Sequence, residues 1–360
     1  MGRGKRSTGG YRAVVAALSL VGSTAWAQEP LTGIEPRPTP APATPPIIPT
    51  RQPVSEGGDG LRREEDKGFQ VRPFGRVFAR MKADERDAYA RSLSVQSARV
   101  GLAASLPHVE AEVTADLSSK SMLKDAFLRV ADSSRQLRLY GGQFKAPFLE
   151  RELEGRWDLP VVNRGLVADY LEDTHKLGGR RMGLMGEVNL KQVWKLRVSA
   201  GVFEGSKDVS GVRRGEDAAV RVSIRPFKRL TLGASTYLTE VFNGTRTHAL
   251  SGNAALRLGA LELTGEYVNG RLSVGPFQGQ LGLASYLLPL GLDGLALQPI
   301  AGAEMLQLTG PLKGRGYAFV GGINILYSQH FKAQFQAEHA LRPGDQLSGT
   351  EYSLQLATRF

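Results

Sequence analysis

From Phe69 to the end of the chain, apolar and polar residues alternate in short runs. Val220, Val222 and Ile224 alternate with Arg221, Ser223 and Arg225. Trp194, Leu196, Val198, Ala200 and Val202 alternate with Lys195, Arg197, Ser199, Gly201 and Phe203. Phe331, Ala333, Phe335 and Ala337 alternate with Lys332, Gln334, Gln336 and Glu338. Successive side chains of a strand point to opposite faces, so each run predicts a strand with one apolar and one polar face. Sixteen such segments follow one another, the first over 70–83 and the last over 347–360. Tight joins fall near Pro107, Ser133-Ser134, Lys191-Gln192, Pro226-Phe227, Gly259-Ala260 and Gln329. Longer joins fall at Asp84–Ala90, Ala146–Gly178, Gly205–Gly215, Val241–Arg246 and Arg271–Pro276.

Two architectures use many alternating strands. A soluble sandwich buries its apolar faces against each other. A transmembrane barrel turns them to lipid and keeps polar groups in its lumen. The strands run about ten residues, close to what crosses a tilted bilayer. Their number is even, short and long joins alternate, and the charges keep to one face. The pattern therefore predicts an all-β fold: a transmembrane antiparallel β-barrel of about 16 strands, spanning 69–360. The last segment adds to this. Tyr352, Leu354, Leu356, Thr358 and Phe360 share one face, and the chain ends on that Phe. This resembles the terminal strand by which bacterial outer-membrane barrels are recognised by their assembly machinery, with Tyr352, Leu354, Leu356 and Phe360 as the assembly signal.

Residues 1–27 read differently. Arg3, Lys5, Arg6 and Arg12 precede the apolar run Ala13–Val21, and Ala25-Trp26-Ala27 follows. That order predicts a secretory signal peptide. Residues 28–68 are rich in proline, which fixes φ and removes a donor, so an extended, disordered periplasmic segment is expected. The net charge of +11 would suggest a polyanionic partner, but part of that excess belongs to the export segment. With no Cys, disulfides, thiol nucleophiles and Cys-ligated metals are excluded. Hydrophobic residues at 41% suffice for a folded body.

The stretch Leu123-Lys124-Asp125-Ala126-Phe127-Leu128-Arg129 leads into Gly142-Gln143-Phe144-Lys145-Ala146-Pro147-Phe148. Leu159-Pro160, Arg164-Gly165 and Gly201-Val202-Phe203 follow. From Leu123 to Gly205 the sequence is similar to the phosphate-selective porin O and P family. That resemblance implies a sixteen-stranded barrel, usually a homotrimer, with its third outer loop folded into the pore. The longest join, 146–178, is the third outer loop if both termini face the periplasm. The short fifth outer loop, Val241–Arg246, departs from the several infolded loops of anion-specific members.

Alternation points Arg129, Arg138, Arg181, Arg197, Arg221 and Arg225 into the lumen, facing acids such as Glu110, Glu187 and Glu266. Guanidinium groups keep their charge and match phosphate and carboxylate geometry. Rings of them along a passage favour anions. Each could equally brace the wall by pairing with a lumen acid. Lys145 and Arg129 lie near the base of the long loop and are candidates for charges at a constriction. In the loop, Trp157, Leu159, Val161 and Val162 can bury an apolar side against the inner wall.

The expected function is passive diffusion of small hydrophilic solutes, anionic or neutral, across the bacterial outer membrane, with a mild preference for anions such as phosphate. Outer-membrane lipid and the barrel assembly machinery are the expected partners. A non-conducting barrel that anchors a partner is the alternative. No cofactor or metal spacing is evident, and no nucleic-acid module. An enzyme is not expected: among the five His there is no H-E-x-x-H, no G-x-S-x-G occurs, and His248 and Ser251 fall on opposite faces of one strand.

Overall fold

The computed structural model describes residues 68–206, 215–242, 247–292, 294–311, 313–341 and 348–360. The signal peptide and nearly all of the proline-rich segment lie outside the described residues. The rest forms one closed sheet of sixteen antiparallel strands. In chain order these are β1 (Gln70–Asp84), β2 (Arg91–Ser105), β3 (Val109–Asp116), β4 (Leu123–Ala131), β5 (Leu137–Lys145), β6 (Arg180–Leu190), β7 (Leu196–Glu204) and β8 (Glu216–Phe227). They continue as β9 (Leu230–Leu238), β10 (His248–Leu258), β11 (Leu261–Leu272), β12 (Gly275–Tyr286), β13 (Leu295–Leu308), β14 (Gly314–Tyr327), β15 (Phe331–Leu341) and β16 (Gly349–Arg359). The two-residue piece Leu288–Pro289 extends β12 along β13. Each strand pairs with its sequence neighbours, and β1 pairs with β16 from Arg76↔Arg359 to Asp84↔Glu351. Closure leaves no sheet edge, which is what a bilayer demands of a strand protein.

The alternation of the sequence becomes inside and outside. On β8, Arg221 is buried while Val220 and Val222 are exposed on the outer face. On β15, Gln334 and Gln336 are buried and Phe335 is 55% exposed. A soluble protein would hide such residues; here they form the apolar belt that faces hydrocarbon. Outward aromatics are unevenly spread. Tyr267, Tyr286, Phe319, Tyr327, Phe331, Phe335 and Tyr352 stand on β11–β16, whereas the outward positions within β1–β7, β9 and β10 carry none.

Turns and loops sort to opposite ends. At one end, the turn end, β8–β9 and β10–β11 are joined by two residues each. At the other, the loop end, the β5–β6 connection runs from Ala146 to Gly179. One join departs from expectation. The β11–β12 connection is a tight turn of Ser273 and Val274, because Leu272↔Gly275 and Arg271↔Pro276 still pair. Gly275 supplies the φ of +126° that the reversal requires, and Pro276 is tolerated at the start of a strand.

Within β5, Gly142 adopts φ +127°, and a Cβ there would lie 2.8 Å from Phe127 Cα on β4. This close approach accounts for the glycine in the Gly142-Gln143-Phe144 run. Beside it, Phe127, Tyr140, Phe144 and Phe203 stack with ring centroids 5.7–6.1 Å apart. They begin an interior apolar cluster that continues through Phe148, Leu171, Leu177, Tyr237 and Leu306.

Candidate permeation site

The β5–β6 connection turns inward and crosses the lumen. It contains two short helices, α1 (Glu150–Leu153) and α2 (Leu166–Asp169), and α2 runs on into one wide turn over Tyr170–Thr174. Neither helix is stable alone at this length, so the barrel wall must satisfy its ends. Glu266 on β11 accepts from the amides of Glu150 (2.9 Å) and Arg151 (3.2 Å) and thereby caps α1. Glu304 on β13 accepts from the amide of Val167 at 3.1 Å and caps α2. Gly165, at φ +103°, lets that carboxylate close over the chain, because a Cβ there would meet it.

Between the helices the loop lies on β14–β16 and β1. The carbonyl of Pro160 accepts from Asn324 (2.8 Å), Gln334 (3.2 Å) and Gln336 (3.0 Å). The amide of Val162 donates to Gln336 Oε1 at 2.8 Å. Lys332 Nζ donates to the carbonyls of Trp157 and Leu159. Asn163 accepts from Arg80 at 2.9 Å and donates to Glu338 and Glu351. Leu159, Val161 and Val162 are buried, and Trp157 packs edge-on against Phe78 with centroids 6.3 Å apart. This side of the lumen is thus roofed by the loop.

The side between β6 and β11 is different. There a cavity of about 380 Å³ remains between α1 and the wall. Its lining includes Arg197, Arg221, Arg225 and Arg257 on the strands and Lys191, Lys195, Lys228 and Arg229 from two adjacent turns. Glu150, Glu154, Glu262 and Glu266 are the lining acids. Several are engaged: Glu150 pairs with Arg221, Glu262 lies 3.6 Å from Arg257, and Glu266 holds α1 and Ser251. Cations therefore outnumber acids on this wall. Arg225 Nε reaches Thr231 Oγ1 at 3.4 Å, and Arg221 lies over Gly233, where a Cβ would come 2.9 Å from its guanidinium.

The sequence-derived candidates separate into three groups. Arg197, Arg221 and Arg225 line this cavity. Arg129 pairs with Glu110 and stacks on Tyr140, and Arg138 donates to Glu187 at 2.9 Å, so both brace the β3–β6 wall. Lys145 and Arg181 are turned into the loop. Lys145 Nζ donates to the carbonyls of Glu152, Leu153 (3.2 Å) and Glu154 (3.0 Å) at the end of α1. Arg181 binds the carbonyls of Gly178 (3.2 Å) and Lys176. The picture of Lys145 and Arg129 as constriction charges does not match this geometry. Lys145 ends its strand, where alternation no longer sets direction, and Arg129 lies towards the turn end of β4 beside a matching acid. The turn lysines and Arg229 were invisible to alternation because turns have no face. The carboxamides that dock the loop read as ordinary polar strand positions. Ser251 is buried and donates to Glu266 at 2.6 Å, while His248 is exposed on the outer side of β10.

The loop carries its own charge network. Arg164 lies 3.0 Å from Glu152 and also donates to loop carbonyls. Burial pushes Glu152 well above the usual carboxylate range, while its hydrogen bond to Glu172, with Arg164 and Lys145 nearby, holds Glu172 below that range. Asp169 is exposed to the lumen but enclosed by the barrel. That enclosure, with Asp173, Glu338 and Glu172 nearby, pushes it up to about 7.

No family model matches this sequence, and no curated protein matches it. Its fold is that of outer-membrane porin barrels. It is similar to an anion-selective porin from Comamonas acidovorans (TM-score 0.62, 11% identity, 81% of this chain and 100% of that one). It is also similar to OmpT in trimer form, an outer-membrane protein of Vibrio cholerae (TM-score 0.56, 12% identity, 82% and 100%). A third similar structure is OprB of Pseudomonas putida (TM-score 0.58, 10% identity, 81% and 94%). At such identity the likeness establishes the fold.

Proposed function

We propose that this chain is an outer-membrane porin that passes small hydrophilic solutes by passive diffusion, with a preference for anions. The observation that carries the proposal is the basic cavity between α1 and the β6–β11 wall. The loop fills the amide-lined side of the lumen, and on the arginine side it packs Phe148, Leu171 and Leu177 at the loop end while the cavity stays open towards the turn end. A solute crossing the barrel must pass the arginines, which attract anions and need no conformational cycle to release them. Phosphate fits such a wall, as do carboxylates. The loop end faces outward and the turn end faces the periplasm in this reading. A homotrimer is part of it: the aliphatic outer face of β2–β6, which lacks aromatics, suits contact with a second and third copy, and the aromatic half suits lipid.

The test is conductance of the purified protein in a planar bilayer under a salt gradient. Discrete steps with an anion-directed reversal potential are expected. Steps with a cation-directed potential would keep the pore and refute the preference. Proven insertion without steps would refute the porin and favour a barrel that serves as an anchor.

A further inference from the structure

The outward face of β10–β14 at the loop end does not look like the rest of the apolar belt. Arg271 on β11 and Arg315 on β14 are exposed there, as is Lys313 just before β14. The register makes the residues between them one continuous row, Asn269↔Gln278, Gln278↔Gln307 and Gln307↔Arg315. The next row towards mid-barrel is Tyr267↔Gln280, Gln280↔Met305 and Met305↔Tyr317. Gln278 Nε2 donates to the Tyr267 hydroxyl at 3.0 Å, which ties the two rows together. No Asp or Glu stands on the outward face of β10–β14 among the described residues. Carboxamides facing bare hydrocarbon would lose their water without replacement, which is costly.

Below these rows the wall becomes smooth. Gly265, Gly282 and Ala303 lie side by side across three strands, and Ala284, Ala301 and Gly321 form the next tier. A Cβ at Gly282 or Gly321 would meet nothing within 4 Å, so internal packing does not ask for glycine at either position. Together they leave a shallow trough down β12 and β13, flanked by Leu263 and Tyr267 on one side and Phe319 and Ile323 on the other. The tight β11–β12 turn keeps the rim low beside Arg271.

We propose that this face docks a phosphate-bearing lipid of the outer leaflet. The guanidinium groups of Arg271 and Arg315 pair with phosphate, for which their fork geometry is suited. The carboxamide row hydrogen-bonds the polar headgroup, Tyr267 and Tyr317 sit at the interface, and an acyl chain lies in the Gly/Ala trough. The charge complementarity commits the site to an anionic lipid. The proposal rests on the outward-facing loop end of the porin reading, but not on conduction.

The experiment uses the purified full chain in a neutral detergent. Diphosphorylated lipid A is titrated in and bound lipid is counted by native mass spectrometry, with phosphatidylcholine as the uncharged comparison. One lipid A retained per chain is expected, and about tenfold weaker retention in the Arg271→Glu/Arg315→Glu variant. A second variant, Gly282→Leu/Gly321→Leu, fills the trough and keeps both charges; it too should lose retention. Control changes at Arg91 and Lys124, on the other side of the barrel, should leave it intact. Equal retention of phosphatidylcholine, or wild-type retention by both variants, would overturn the proposal. So would a change in the number of chains per assembly in Arg271→Glu/Arg315→Glu, which would make this face an interface between copies. Single-channel conductance of the same variants should be unchanged. Lipid binding by a barrel that does not conduct would sink the porin reading alone.

Discussion

The two halves of the lumen solve the same problem in opposite ways. The β13–β16 half offers carboxamides and a carboxylate (Asn324, Gln334, Gln336 and Glu304) and gives them a peptide backbone to bind. The β6–β10 half carries Arg197, Arg221, Arg225 and Arg257 around the cavity, where α1 approaches through the Glu150–Arg221 pair, and packs the loop's Phe148, Leu171 and Leu177 against Phe203 and Tyr237 nearer the loop end. Carboxamides can donate to carbonyls and accept from amides, so they can hold a loop that has both. Guanidinium groups only donate, so a wall of them repels further cations and stays open to anions and water. The carboxamides thus hold the loop's backbone on one half, while on the other its apolar side chains pack beside the arginine cavity.

The largest expected effect separates the two faces of the arginine-bearing wall. Val222→Lys should cost about 2–4 kcal/mol, as charge does on the lipid face of such barrels, and should lower the yield of refolding into lipid vesicles. Normal yield would mean that Val222 does not face lipid. Next is the link between the halves. Removing the Glu266 carboxylate leaves the amides of Glu150 and Arg151 and the Ser251 hydroxyl without their acceptor. Hydrogen bonds to a charged group contribute about 1.5–3 kcal/mol each, so Glu266→Ala should free α1 and raise single-channel conductance and its noise. An unchanged trace would show that α1 is held by other means.

Selectivity sharpens the contrast further. Arg197→Glu with Arg225→Glu should move the anion-to-cation permeability ratio by about tenfold towards cations, the low end of what focused charge achieves in a cleft. The exchange Arg129→Glu with Glu110→Arg, on the braced wall, should leave that ratio where it was. If both variants shift it equally, the distinction between cavity-lining and wall-bracing arginines fails. The smallest effect concerns pH. Asp169 binds its proton more tightly in the docked loop than in a free chain, since its value is raised to about 7. The docked state therefore holds more protons between the ordinary carboxylate value and about 7, and docking weakens as pH rises through that window before levelling off. Amide protection over 166–174, relative to the base-catalysed intrinsic rate at each pH, should be higher at pH 5 than at pH 8, and Asp169→Asn should remove the difference.

Much of this was legible in the residues. Period-two alternation located all sixteen strands and the side on which Arg197, Arg221 and Arg225 would lie, because a closed barrel keeps every strand's parity from end to end. The exception at β11–β12 arose where Pro276 resembles a breaker but stands at a strand start. Alternation could not separate Arg138, which meets Glu187, from Arg197, which lines the cavity. Both have the same parity and the same local pattern. Their difference lies in where the loop lies and in which of them faces the cavity it leaves.

What the sequence determined by itself, then, is the barrel: strand number, facing and the long β5–β6 connection are local properties of alternation and turn chemistry. Tertiary structure decided the pore. Glu266 and Glu304 are far from Glu150 and Val167 in sequence and meet them only because the loop crosses the lumen. Lys145 became a loop clamp for the same reason. A hydrogen bond to an unsatisfied backbone group depends on which surface closes over it, and that is fixed only when the ring of strands closes.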